Sequence, residues 1–137
     1  MLKLLLAGCI ALAPAAAHAA DDLLDPEKAF RFSARMNGHE SIEVRYEIAH
    51  GYYLYRDRFS FVVEGAQGGQ ALIPEGRKIF DAHFRKIVET HRGSVVIQVP
   101  VSGIRRQVVL KATSQGCADA GVCYPPVTQS ARLSDKR

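Results

Sequence analysis

Alternation of apolar and polar residues with period two runs through most of this chain and constrains its fold more than any other feature. The clearest case lies in residues 42–48, where apolar residues take every second position and charged residues fill the positions between them. The apolar set is Ile42, Val44, Tyr46 and Ile48, and the charged set is Glu43, Arg45 and Glu47. Since successive side chains of a strand point to opposite faces, this pattern predicts a strand with one buried face.

Further segments rich in aromatic and β-branched residues recur at a spacing of about ten residues. They predict strands at Tyr52–Tyr55 and at residues 59–64, 85–91, 94–101, 107–113 and 128–133. The pattern favours neither an amphipathic helix nor an internal repeat, so we expect an all-β fold, an antiparallel β-sandwich of seven or eight strands. Residues 74–84 form the one long connection without strong alternation, and we expect this segment to act as a lid.

The composition fits one domain with a modest positive charge. The chain has 137 residues, of which 47% are hydrophobic and 23% are charged, and this length excludes large multidomain enzymes. The formal net charge is +4, and Arg105 and Arg106 are the only adjacent arginines. This excess of positive charge is too small and too scattered to predict nucleic-acid binding.

The N-terminal segment has the features of an export signal. Lys3 gives a short basic start, an apolar run covers residues 4–13, and Ala17 and Ala19 form a small-x-small cleavage site. We expect residues 1–19 to be a signal peptide and residues 20–137 to be a soluble mature domain, since no later segment has the length of a membrane span. The alternative is lipoprotein processing at Cys9, but only a very short apolar stretch precedes that residue.

Removal of the signal leaves two cysteines, Cys117 and Cys123, in the segment Q-G-C-A-D-A-G-V-C-Y-P-P. Gly116 and Gly121 permit backbone angles that other residues resist, and the two prolines stop strand pairing beyond the second cysteine. The thiols are therefore expected to face each other across a tight turn, at a distance that a disulfide can span.

Three roles are open to this cysteine pair. A structural disulfide is the ordinary role in an exported domain, although a loop this short removes only about 2 to 2.5 kcal/mol of chain entropy from the unfolded state. Reversible exchange suits the spacing equally well, because the second thiol can attack a mixed disulfide formed by the first. A metal site would need His83 or His91 as a further ligand, and no second pair of ligands supports it.

The cysteine segment, residues 115–126, closely resembles the active-site segment of the N-terminal periplasmic domain of the thiol:disulfide interchange protein DsbD. Two further stretches are similar to that family, D-P-E-K-A-F at residues 25–30 and G-Y-Y-L-Y-R at residues 51–56. The resemblance covers essentially the whole mature chain. It implies an immunoglobulin-like β-sandwich, located in the periplasm, with a cap loop over the active site.

The same resemblance implies residue roles. Cys123 is expected to form the mixed disulfide with a partner protein, and Cys117 to resolve it. Tyr53 and Tyr55 are expected to pack beside the pair, although Tyr55 taken alone reads equally well as an ordinary strand aromatic. Two more residues of the active-site surroundings lie within the motif itself, Asp119 and Tyr124.

The family's cap loop, an acidic residue followed by two aromatics and glycine, corresponds to residues 80–86. Asp81 and Phe84 are retained, whereas His83 stands where an aromatic is usual and Arg85 replaces the glycine. We expect His83, or failing it Phe84, to lie over the sulfur atoms.

The function implied is that of a protein-disulfide reductase that takes electrons from a membrane or thioredoxin-like donor. The implied acceptors are DsbC, DsbG and cytochrome-maturation thioredoxins, and we expect no cofactor, no metal and no small-molecule substrate. Full-length family members continue into a membrane domain and a thioredoxin-like domain. We therefore expect a separate membrane protein to supply the electrons, or the sequence to represent part of a longer protein. The alternative is a non-catalytic adaptor with a structural disulfide.

The charges around the cysteines predict low intrinsic reactivity. No cation flanks the motif in the sequence, and the negative charge of Asp119 disfavours a nearby thiolate. We therefore expect slow reaction with small oxidants and activation mainly within a docked complex.

Overall fold

Antiparallel strands account for most of residues 22–134, the part of the chain that the computed structural model describes. The predicted signal peptide and Cys9 lie outside these described residues. The elements are α1 (Pro26–Ala29), β1 (Phe30–Asn37), β2 (Ser41–Ile48), β3 (Tyr52–Tyr55), a 3₁₀ turn (Arg56–Arg58), β4 (Ser60–Glu64), β5 (Gln67–Gly68), β6 (Arg77–Asp81), β7 (Lys86–His91), β8 (Ser94–Ser102), β9 (Gln107–Ser114), β10 (Gly116–Ala118) and β11 (Val127–Ser134). Within residues 22–134, the helical segments are too short or too polar to pass through a bilayer.

The strands form three sheets around one main core. Their strand orders are β1-β2-β8-β5, β11-β9-β4 and β10-β3-β7-β6, and all pairings are antiparallel. Alternation along β2, β8 and β9 turns every second side chain inward, as the sequence pattern predicts. The inward residues of these three strands are Ile42, Val44, Tyr46, Ile48, Val95, Ile97, Val99, Val101, Val108 and Leu110.

The third sheet carries a second, smaller buried cluster on its other face. Tyr52 and Leu54 of β3 enter the main core, so period-two alternation sends Tyr53 and Tyr55 to the opposite face. Cys117 of β10 lies directly across from Tyr53 and shares that face. The strand register therefore gathers the tyrosines and a cysteine outside the main core.

The predicted all-β antiparallel sandwich is confirmed, and the structure adds strands that the pattern did not predict. Strand β1 was missed, although Phe30, Phe32, Ala34 and Met36 alternate with polar residues along it. Residues 74–84 were expected to be a loop, and this expectation is wrong in part because they contain β6, which pairs with β7 over its whole length. The predicted lid is thereby reduced to the turn at residues 82–85, which joins β6 to β7.

Candidate active site

The two cysteines meet where β10 turns back on itself. Backbone hydrogen bonds hold Cys117 in register with Tyr53 of β3, and a turn through Gly121 brings Cys123 back to form an antiparallel bridge with Cys117. Gly121 has φ +94°, a left-handed conformation that favours glycine. The Cα atoms of the cysteines are 4.0 Å apart, and the sulfurs are joined in a disulfide.

Gly116 is needed for space rather than for its backbone angle. A Cβ atom at this position would collide with the carbonyl oxygen of Tyr53 and would lie 2.7 Å from the ring of Phe30. The prediction that both motif glycines adopt unusual backbone angles is right for Gly121 but wrong for Gly116, which has no positive φ. A side chain at position 116 would push β10 away from β3.

The two cysteine residues differ in their exposure to solvent. Cys117 is 1% exposed, whereas Cys123 is half-buried at the edge of the small cluster. A thiol of another protein therefore reaches Cys123 more easily than Cys117.

A buried hydroxyl and a buried carboxylate lie next to the disulfide. The Tyr55 hydroxyl is 3.0 Å from Cys117 Sγ and 3.9 Å from Cys123 Sγ, and it donates a hydrogen bond of 2.6 Å to Asp81 Oδ2. The Tyr53 hydroxyl donates to the same oxygen at 3.2 Å. Since the single proton of Tyr55 goes to the carboxylate, the Tyr55 oxygen is free to accept the S–H proton of a reduced Cys117.

These contacts fix the charge state of Asp81 and Tyr55. Burial alone raises the pKa of Asp81, but hydrogen bonds from Tyr55, the Phe84 backbone and Tyr53 outweigh burial and hold this pKa below its ordinary value of 3.8. Burial is the main cause that raises the pKa of Tyr55, and the hydrogen bond to Asp81 raises it further. At neutral pH the site therefore contains a carboxylate anion and a neutral phenol.

The turn between β6 and β7 places Phe84 next to the disulfide. Phe84 is half-buried and packs in the small cluster that also contains both cysteines, with its ring centre 5.1 Å from that of Tyr55. Asp81 Oδ1 accepts a hydrogen bond of 2.8 Å from the Phe84 backbone and so fastens the turn. His83 is exposed, and its ring lies 4.9 Å from the Phe84 ring. Of the two residues expected over the sulfurs, Phe84 is thus the one that packs in their cluster.

Arg92 is a residue of this region that sequence reasoning missed. Its guanidinium forms two hydrogen bonds to the Asp119 carboxylate, of 2.7 Å and 3.0 Å, and lies 5.0 Å from the centre of the Tyr53 ring. The hydrogen bonds from Arg92 lower the pKa of Asp119. No cation flanks the motif in the sequence, but the fold brings Arg92 to it from the distant turn between β7 and β8.

Tyr124 lies on the main-core side of the cysteine motif. Its ring packs against Phe30 and Tyr52 at centre distances of 5.8 Å and 6.3 Å. Its hydroxyl donates a hydrogen bond of 2.6 Å to the Leu24 carbonyl. Tyr124 therefore anchors the end of the motif to the N-terminal segment, and it does not join the small cluster around the disulfide.

The chemistry of the site rests on sulfur. Among residues 22–134, no three His, Cys, Asp or Glu side chains come close enough together to hold a metal ion. The described part of the site offers a disulfide with one accessible sulfur, a phenol in contact with it and a fixed carboxylate behind the phenol.

Comparison with known proteins agrees with this geometry. Residues 20–135 match the family model described as thiol:disulfide interchange protein DsbD, N-terminal. The chain is 44% identical over 119 residues to a DsbD of Ralstonia nicotianae, covering 85% of this chain and 20% of the relative. It is 39% identical over 109 residues to DsbD 1 of Pseudomonas aeruginosa, covering 77% of this chain and 18% of the relative. The chain thus spans about a fifth of the length of these curated relatives.

Solved structures from Neisseria meningitidis have the same fold. The reduced DsbD N-terminal domain matches with a TM-score of 0.74 and 31% identity, over 84% of this chain and 92% of that chain. A complex between the DsbD and PilB N-terminal domains matches with a TM-score of 0.70 and 32% identity, over 81% of this chain and 87% of that chain. The immunoglobulin-like fold class is confirmed. This chain belongs to the family of the N-terminal domain of the thiol:disulfide interchange protein DsbD.

Proposed function

We propose that this domain is a periplasmic protein-disulfide reductase that carries electrons as a reversible Cys117–Cys123 dithiol. The observation that carries the proposal is the asymmetry of the pair, with Cys117 buried against the Tyr55 hydroxyl and Cys123 accessible at the edge of the cluster. An exchange reaction needs one sulfur that partners can reach and a second sulfur held next to the first. Membership of the DsbD N-terminal family supports the same role.

The proposed cycle begins with both cysteines reduced. The Cys123 thiolate attacks one sulfur of a partner's disulfide, so that an intermolecular S–S bond forms and the partner's other sulfur leaves as a thiolate and takes up a proton. The Cys117 thiolate then attacks Cys123 Sγ, re-forming the internal disulfide and releasing the second partner thiol. Two electrons and two protons pass from the domain to the partner, and a dithiol donor returns them.

The protein surroundings position the sulfurs for these steps. Tyr55 contacts Cys117 Sγ at 3.0 Å and is held in place by Asp81, so the buried thiol has a fixed acceptor in the reduced state. Phe84 and the turn that carries it form the proposed cap, which shields the pair from small oxidants until a partner displaces it. His83 lies on the outer side of this cap.

The partners belong to the proposal. We infer that a membrane or thioredoxin-like donor reduces the domain, and that the acceptors are DsbC, DsbG and cytochrome-maturation thioredoxins. The complex of a related domain with the N-terminal domain of PilB supports docking of another protein at such a domain. Export through the predicted signal peptide, residues 1–19, would place this chain in the periplasm.

A pair of cysteine variants tests the proposal. The reduced chain of residues 20–137, which lacks Cys9, should accumulate a mixed disulfide with oxidised DsbC when it carries Cys117→Ala, because Cys123 can attack and nothing resolves the product. The matched variant Cys123→Ala of the same chain should accumulate little, since its one remaining thiol is buried. Non-reducing electrophoresis and intact mass measure both outcomes.

The structural-disulfide alternative makes different predictions. A pair that serves only as a staple should give no mixed disulfide with either variant, and its reduction potential should lie below about −300 mV. Equilibration of the chain with glutathione measures that potential. A potential in this range together with no trapped partner would refute the proposed function.

A further inference from the structure

Two cations contact the Phe84 ring and a third follows Phe84 in the chain, and we call Arg58, Arg85 and Lys86 the cationic rim. The Arg58 guanidinium carbon lies 4.7 Å from the centre of the Phe84 ring, and Lys86 Nζ lies 5.9 Å from it. Arg85 follows Phe84 in the turn and has φ 54°. All three side chains are exposed.

No carboxylate of the described chain neutralises this rim. Among residues 22–134, neither Arg58, Arg85 nor Lys86 takes part in an ion pair. Asp81 is buried, and its oxygens accept hydrogen bonds from Tyr53, Tyr55 and Phe84. Asp119 forms its ion pair with Arg92. Asp57 precedes Arg58 in the 3₁₀ turn and lines a groove that also contains Lys86 and Glu89, and Glu89 is paired with Arg56. Within residues 22–134 the three rim cations therefore have carboxylates nearby but no ion pair of their own.

The cationic rim lies on the same side of the third sheet as Cys123. Phe84 and Cys123 both pack against the small cluster of Tyr55, Val88 and Cys117, and the Phe84 ring contacts the Tyr55 ring. A protein that brings its disulfide to Cys123 therefore approaches the face of the sheet that carries Phe84 and its cations. Complementary charge at such a position raises the rate of productive encounter and disfavours partners of the same sign.

We propose that the cationic rim is a docking site for an acidic surface of the partner protein, one in which carboxylates flank the reactive disulfide. This inference rests on the proposed function and names the class of partner that the site selects. Guanidinium groups recognise carboxylates through directed, charge-assisted hydrogen bonds, and Arg58 and Arg85 have no carboxylate of their own to bind.

Two synthetic peptides test the proposal. They have equal length and one internal disulfide each, flanked by glutamates in the first and by glutamines in the second. The reduced full chain is mixed with each peptide, the reaction is stopped by alkylation, and mass spectrometry gives the rate of peptide reduction. At low salt the acidic peptide should be reduced about tenfold faster than the neutral peptide, and this ratio should approach one at about 1 M salt.

Variants that neutralise rim charges show which side chains cause the difference in rate between the two peptides. Arg85→Gln and the double variant Arg58→Gln/Lys86→Gln should each lower the acidic-to-neutral rate ratio at low salt. The control Arg105→Gln/Arg106→Gln removes two positive charges that lie directly before β9 and outside the rim, and it should leave the rate ratio unchanged. A ratio near one in the native chain, or an equal drop in the control, would overturn the inference. If neither peptide is reduced, the proposed function fails as well, whereas equal reduction of both contradicts only the docking site.

Discussion

Asp81 shows how one residue connects the cap turn to the redox pair. The family resemblance implies that it is the acidic residue of a cap loop. In the structure it is 2% exposed and accepts hydrogen bonds from two tyrosines of β3 and from the Phe84 backbone. Its carboxylate therefore joins the turn at residues 82–85 to the strand that carries Tyr55.

Replacement of Asp81 should destabilise the domain in a pH-dependent way. Asp81→Asn should lower the free energy of unfolding at pH 7 by about 1–3 kcal/mol, because hydrogen bonds to a buried charged acceptor are lost or weakened. The native pKa of Asp81 lies below its ordinary value of 3.8, so the ionised group stabilises the fold above that pH and loses this effect as pH falls through the native pKa. Urea unfolding at neutral and acidic pH should show the difference between the two proteins shrinking with acid.

The exposed carboxylate of Asp57 supplies the control. Asp57→Asn should change the unfolding free energy little at either pH, since exposed single charges contribute little. A deficit in Asp81→Asn that is the same at all pH values would contradict the role of its charge.

At the scale of elements, the cysteine turn depends on a cross-link from outside its own strands. Strand β10 has three residues, and among the named strands of the described chain it pairs with β3 alone; the Asp119 backbone N–H adds a hydrogen bond of 2.8 Å to the Gly51 carbonyl. Arg92, from the turn between β7 and β8, adds a bidentate contact to Asp119 and covers the Tyr53 ring. This contact fixes the turn that brings Cys123 back to Cys117.

Loss of this cross-link should make the disulfide easier to reduce. Arg92→Gln loosens the turn, which lowers the effective concentration of one thiol at the other and shifts the dithiol–glutathione equilibrium toward the reduced form by about twofold to fivefold. The control Lys111→Gln breaks the Lys111–Glu64 ion pair in a different sheet and should leave the equilibrium constant unchanged. An unaltered constant in Arg92→Gln, measured by alkylation across a series of glutathione ratios, would show that Arg92 does not position the turn.

At the scale of the whole molecule, the side chains of Cys117 and Cys123 lie outside the main core. The main core joins the sheets and includes Tyr52 and Leu54 of β3 and Ala118 of β10, whereas Cys117 lies in the small cluster on the outer face of the third sheet. Opening the disulfide therefore removes no contact between the side chains of the main core. We therefore expect the sandwich to stay folded when the disulfide is opened.

Reduction of the native chain should cost little stability. The disulfide closes a short loop, with its cysteines six positions apart, and the loop-closure model gives a loss of about 2 to 2.5 kcal/mol at most. Urea unfolding with and without reductant should show that difference, and the far-UV circular dichroism of the reduced chain should remain that of a β protein. Loss of the β signal on reduction alone would contradict the separation of core and site.

Local sequence patterns determined several strands of this protein and its cysteine turn. Alternation along β2, β8 and β9 depends only on neighbouring residues, so the sequence predicts these strands and their buried faces. The cysteine segment likewise predicts a turn that joins Cys117 to Cys123. The sequence pattern did not predict strand β6. This strand is defined by its pairing with β7, and the adjacent apolar residues Ile79 and Phe80 interrupt the apolar–polar alternation, because Phe80 is exposed.

Contacts between distant residues were decided only by the tertiary structure. Tyr55 and Asp81 are 26 positions apart, and Arg92 and Asp119 are 27 apart, so no local period or motif spacing relates them. The main core sets how β3, β7 and β10 lie together, and this arrangement places the phenol beside the sulfur and the guanidinium beside the carboxylate. The sequence alone thus determined which two sulfurs lie together, and folding decided which side chains hold and surround them, because that choice depends on strand register across sheets.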